Sequence, residues 1–235
     1  MSLPTINAPR FDTILPSNGQ KIEFRPFLVR EEKILLMALE GGDSEGIAAA
    51  VVDVIQACVL SEVNIRGLPY FDVEWLFLQL RSKSVGEIIE MQLRHSNPDS
   101  TCEHISPVSV DLSTLSIDVK AERTIALNES IGVEMTYPNL DTIQEMQATG
   151  SSIAENALGI IAATVKCVYE DENVYADFTR AEMTEFLESL SSEQFNKITT
   201  FIAEMPKLSH TIDWVCTECG APDQVVVEGL QGFFS

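Results

Sequence analysis

The chain has 235 residues and a formal net charge of −21, from 36 acidic and 15 basic side chains. That excess of acid argues against nucleic-acid phosphates and anionic membranes as partners and suits basic protein surfaces. The hydrophobic share of 45 % supports one large domain or two small ones, and the longest apolar stretch, Ile47 to Leu60, is broken by Asp53 and Gln56 and is too short to span a bilayer.

Residues 1–10 read as a polar, Pro-containing arm that orders against a partner. Phe11 to Leu15 and Lys21 to Phe24 read as a β-hairpin around Asn18-Gly19, a strong turn signal. A helix is expected from about Arg30 to Leu39, ended by Gly41-Gly42. Asp43 or Ser44 caps a second, from Glu45 to about Leu60. A third runs from about Asp72 to Arg81. Residues 113–122 form a polar joint. A second hairpin follows at Thr124–Leu127 and Gly132–Thr136, then a short helix from Asp141 to Ala148 and an apolar one from Ile153 to about Tyr169. Glu170 to Tyr175 reads as a loop. Thr179-x-x-Glu182 and Ser191-x-x-Gln194 are capping boxes for two more helices, the second terminated by Pro206.

The order of elements repeats with a period of about 110 residues. Thr13-Ile14 faces Thr124-Ile125, Cys58-Val59 faces Cys167-Val168, and Phe77-Leu78 faces Phe186-Leu187. The expected fold is α+β and mostly helical. It comprises the arm at 1–10, a first pseudo-repeat at 11–112, the joint at 113–122, and a second pseudo-repeat at 123–235.

Each pseudo-repeat ends in a strand, a turn bearing candidate ligands, and a strand. In the second, Cys216-Thr-Glu-Cys219-Gly220 lies between the alternation Ile212, Trp214 and the run Val225-Val226-Val227. Two thiolates on such a turn form half of a zinc knuckle, and structural zinc is nearly always four-coordinate. The matching stretch has Met91 and Leu93 leading to His95, a longer turn, then Cys102 and the strand residues Val108 and Val110. A split zinc ribbon with ligands His95, Cys102, Cys216 and Cys219 is expected, with His104 the alternative to His95. A thioredoxin-like redox pair would need a helix at the first cysteine, where a strand follows the second instead. Cys58 and Cys167 read as helical core thiols. Five cysteines, an odd number, fit a reducing cytoplasm, and no signal peptide is expected.

No phosphate-binding glycine loop, Gly-x-Ser-x-Gly elbow or His-Glu-x-x-His helix occurs. Glu31-Glu32 and Glu170-Asp171-Glu172 read as solvated charge runs. The expectation is a non-enzyme. Its rival is a zinc hydrolase with Glu218 or Glu103 as base.

Ile22-x-Phe-Arg-Pro-Phe-Leu-Val-Arg-Glu-Glu-Lys-Ile-Leu-Leu-Met-Ala38, followed by Glu40-Gly-Gly-Asp43 and the two knuckles, resembles the T4-type bacteriophage base plate protein family. The family includes a base plate hub subunit and a hub assembly factor of contractile-tailed phages. The resemblance implies a structural protein of the virion tail, present in host cytoplasm during assembly. Its partners would be other tail proteins, and it would have no enzymatic activity. A hub subunit is the expectation and a non-virion assembly factor the alternative. In this resemblance His95 stands where the first knuckle usually has cysteine.

Overall fold

The computed structural model describes residues 7–42, 44–95, 102–119, 122–142 and 153–234. The expected helix at 141–148 is described only at Asp141 and Thr142, both helical, and the rest of it and most of the N-terminal arm lie outside these residues. The fold is α+β, with small antiparallel sheets and helices in two compact units. The first unit comprises 1–65, 71–118 and 207–235; the second comprises 66–70 and 119–206.

The first unit opens with the hairpin β1 (Phe11–Ile14) and β2 (Lys21–Phe24), pairing Phe11 with Phe24 and Ile14 with Lys21. Its turn closes through Leu15 N–H to the Gln20 carbonyl at 2.9 Å, with Gly19 at φ 73°, a conformation glycine adopts without strain. Helix α1 (Val29–Gly41) ends at Gly42, left-handed at φ 66°, and α2 (Ser44–Cys58) follows. From α2 the chain returns along β2: Arg25 N–H donates to the Cys58 carbonyl at 3.0 Å and Leu60 N–H to that of Glu23 at 2.8 Å. Helix α3 (Tyr70–Val85) is longer than the sequence pattern suggests. Its Asp72, fully buried, accepts from the Ser17 N–H at 3.1 Å and from the Ser17 hydroxyl, tying the first turn to α3. Burial raises the Asp72 pKa, against the pull of these two donors.

The Arg-Pro-Phe-Leu-Val-Arg-Glu stretch has a physical purpose. Glu31 belongs to an expected solvated run, yet it is 2 % exposed. Arg25 Nη2 donates to its carboxylate at 2.9 Å, and the Leu28 N–H, an orphan donor at the start of α1, donates at 2.8 Å. The same guanidinium donates to the Ala57 carbonyl at 2.9 Å and the Pro26 carbonyl at 3.0 Å. A single ion pair thus joins β2, the start of α1 and the end of α2. Burial opposes ionisation of Glu31, but the Arg25, Leu28 and Arg30 donors outweigh it and bring its pKa down to about 2. Glu32 remains exposed, as expected of its run.

Two further hairpins complete this unit: β3 (Ile88–Leu93) with β4 (Ser106–Asp111), and β9 (Ser209–Val215) with β10 (Pro222–Glu228). Alternate residues of both hairpins enter one core, with Ile89, Leu93, Val110, Ile212, Trp214 and Val227 packed together around Leu78 of α3. A short C-terminal helix, α7 (Gly229–Phe234), is anchored by the Gly229 N–H to the Leu208 carbonyl at 2.8 Å and by the Leu230 N–H to Glu74 at 3.2 Å.

The second unit is a meander, β5 (Thr124–Ala126), β6 (Ile131–Met135), β7 (Val165–Glu170) and β8 (Asn173–Tyr175), with helices α4 (Ile153–Thr164), α5 (Arg180–Glu188) and α6 (Ser192–Ala203). Thr179 with Glu182, and Ser191 with Gln194, form the two capping boxes. Two expectations need correction. The helix expected to reach Tyr169 stops at Thr164, and 165–175 is a hairpin, with Asp171 left-handed at φ 51° in its turn. The Thr164 carbonyl accepts from the Thr136 N–H at 2.7 Å, which closes the helix. The β-branched and aromatic run Val165 to Tyr169 then pairs with β6 and β8. Cys167 is therefore a buried strand thiol, and Cys58 a buried thiol at the last residue of α2. In both units the chain leaves an apolar helix and runs back antiparallel to the second strand of a hairpin, at Phe24 with Val59 and at β6 with β7.

Candidate metal centre

Strand alternation fixes where the ligands go. Leu93 and Trp214 face the core, so the residues beyond them, His95 and Cys216, emerge at the same end of the paired hairpins. The β9–β10 turn is closed by the Cys216 N–H to the Ala221 carbonyl and the Gly220 N–H to the Cys216 carbonyl, each 3.0 Å. Gly220 sits at φ 70°, which a side chain would resist. This turn brings Cys219 round beside Cys216.

The ligand atoms of His95, Cys102, Cys216 and Cys219 all lie within 4.8 Å of one another. Cys102 Sγ is 3.8 Å from Cys216 Sγ, and His95 Nε2 is 3.3 Å from Cys219 Sγ. Thiolates bound to a tetrahedral ion at about 2.3 Å stand about 3.8 Å apart, so the donor set and its spacing fit zinc. His104 points elsewhere: its Nε2 is 2.9 Å from the Thr217 hydroxyl. Cys58 lies against Arg25 and Cys167 against Glu134.

The surroundings orient these four groups. His95 Nδ1 donates to Asp223 Oδ2 at 3.0 Å, so Nε2, the nitrogen facing the cysteines, is the one that would bind an ion on giving up its proton. The His95 ring packs against buried Trp214, with centroids 5.2 Å apart. Fully buried Ser106 accepts from the Thr217 N–H at 3.1 Å and turns its own hydroxyl toward Cys216 Sγ at 3.7 Å. Asp223 and Ser106 escaped the sequence reading, because nothing in their spacing distinguishes them from ordinary strand polar residues.

Electrostatics favours a thiolate here. The Cys219 N–H, then the Glu218 N–H and the Ser106 hydroxyl, pull the Cys216 pKa down to about 5 against the opposing effect of burial. Cys219, Cys216 and Asp223 together raise His95 to about 9. Cys102 receives a hydrogen bond from the His104 amide, but burial and the neighbouring Cys219 and Cys216 thiols push its pKa up. A positive histidine beside a thiolate is the arrangement that a divalent cation replaces, with release of protons.

A family model described as T4 bacteriophage base plate protein matches residues 8–235, nearly the whole chain. No curated protein and no solved structure matches significantly.

Proposed function

The chain belongs to the T4 bacteriophage base plate protein family, and from that premise we propose that it is a structural subunit of the hub region of a contractile tail base plate. In this reading one zinc ion, held by His95, Cys102, Cys216 and Cys219, clamps two hairpins into a split zinc ribbon. The observation that carries it is the convergence of four ligand atoms within 4.8 Å from turns more than 110 residues apart in the chain. A zinc hydrolase keeps one position for water. Four converging side chains support a closed, structural site, and Glu103 and Glu218 are both exposed.

Tail proteins are the proposed partners. Supporting them is α1, whose Val29, Leu36, Met37 and Leu39 are between 55 % and 80 % exposed on one short helix. Apolar exposure of that kind marks contact surfaces. The matching return of the chain along both hairpins supports an internal duplication, with pseudo-repeats at 11–112 and 123–235 in sequence, although 207–235 packs with the first compact unit. Location in the finished virion is tested by mass spectrometry of purified particles. Presence at fixed copy number is expected. Presence in infected-cell lysate with absence from particles would assign the assembly-factor role instead. For the metal, protein purified without added zinc should carry about one zinc per chain, and Cys219→Ser should lose it.

A further inference from the structure

The second unit carries an open cleft of about 240 Å³ between the edge of the meander and α5. Its floor is apolar: Ile131, Val168, Phe178, Met183 and Phe186. Its rim is formed by two carboxylates, Glu170 and Glu182, and by Tyr175, which is half exposed. The volume falls below the roughly 300–1,000 Å³ of small-molecule sites, so it suits one side chain rather than a cofactor. An apolar floor beneath a double-negative rim asks for a ligand with a hydrocarbon stem and a cationic head.

The rim is built to present charge. Tyr175 donates to Glu170 Oε2 at 3.2 Å, and Glu182 is fixed by the Thr179 N–H at 2.7 Å and hydroxyl at 2.8 Å. Those bonds hold the carboxylates in place, and a carboxylate offers about four acceptor positions, so capacity remains for a guanidinium. The Tyr175 and Phe178 rings add faces on which a planar cation stacks. Asp171, Glu172 and Asp177, all exposed, lie in the same stretch of chain between β7 and α5 and extend the negative field.

We propose that this cleft is the seat for a long cationic side chain, of the arginine type, presented by a partner protein. The inference deepens the reading of a tail-protein subunit by giving the chemistry of one contact. Its test reads the cleft alone, so virion location and cleft occupancy succeed or fail separately. The probe is n-butylguanidinium, titrated into full-length protein labelled at Met and Ile methyl groups, with the neutral isostere n-butylurea as the comparison. Saturable shifts are expected at Met183 and Ile131, with Met135, buried in the same unit, unmoved. Butylguanidinium should bind about fivefold more tightly than butylurea, the ratio that one well-placed surface charge contact supplies. Glu170→Gln should weaken it about two- to fivefold, and raising the salt to about 0.5 M should do the same in the wild type, independently of any effect of the substitution on folding. Equal binding of the neutral isostere, insensitivity to both salt and Glu170→Gln, or no saturation by the cation would each overturn the proposal.

Discussion

Glu31→Gln isolates the charge of the ion pair that joins β2, α1 and α2, since it preserves shape and keeps an oxygen for the Leu28 N–H. Glu31 is 2 % exposed, and the Arg25 side chain that bonds it is 14 % exposed, so the pair is poorly screened. Arg30 also donates to Glu31, but its side chain is 71 % exposed, so solvent screens its share more than that of Arg25. The folded pKa of about 2 lies below an ordinary value of 4.5. A depressed carboxylate stabilises the fold fully above the unfolded pKa and loses that contribution as pH falls through the folded one. Ionisation of Glu31 therefore contributes about 3 kcal/mol at pH 7 and about 1.4 kcal/mol at pH 3. Urea unfolding of wild type and variant at both pH values measures the difference. A gap of about 3 kcal/mol at pH 7, roughly halved at pH 3, is expected. A gap unchanged with pH would show that Glu31 acts through packing. A gap under about 0.5 kcal/mol at pH 7 would place the pair among solvated ones.

Asp223→Asn should lower zinc affinity about 10- to 100-fold in a competition titration with a chelator, while stoichiometry at saturating zinc stays near one per chain. An unchanged affinity would show that Asp223 does not set the His95 tautomer. Gly132→Ala should destabilise the second unit by about 1–3 kcal/mol in urea unfolding, because an added Cβ would meet the Ile125 carbonyl oxygen at 2.7 Å and the Tyr169 ring. A neutral effect would mean that β5 and Tyr169 shift freely.

Much of this was legible because the signals were local. Asn18-Gly19, the Thr179 and Ser191 caps and the periodicity of α1 to α3 each act within a turn or two. The two hairpins whose turns carry the candidate ligands were legible through the alternation on either side of the cysteines, which sets the side chain that each strand buries. What failed depended on distant partners. Val165 to Tyr169 continues an apolar pattern that fits a buried helix as well as a strand, and only pairing with β6 and β8 selects the strand. Glu31 resembles any acidic residue in the first turn of a helix until Arg25 is seen to fold back over it. His95 and His104 lie on either side of Cys102 as ligand candidates, and only the fold separates them, with His95 Nε2 beside Cys219 Sγ and His104 Nε2 beside the Thr217 hydroxyl.

The first unit is discontinuous, and that would give a bound metal ion its place in the energetics. Residues 207–235 must return to a core whose other hairpin, 88–111, is separated from them by residues 119–206 of the second unit. Bringing Cys102 to Cys216 closes a loop of about 114 residues, at an entropic cost near 4 kcal/mol from length alone. The apolar faces of both hairpins offset part of this, with Leu93, Ile212 and Trp214 at the centre. A zinc ion on these four ligands would contribute on the order of 10 kcal/mol, enough to exceed the closure cost. The C-terminal hairpin would then be held by the ion as well as by its core contacts, so chelation should expose 207–235 to hydrogen exchange before it melts the Arg25–Glu31 junction in the same unit.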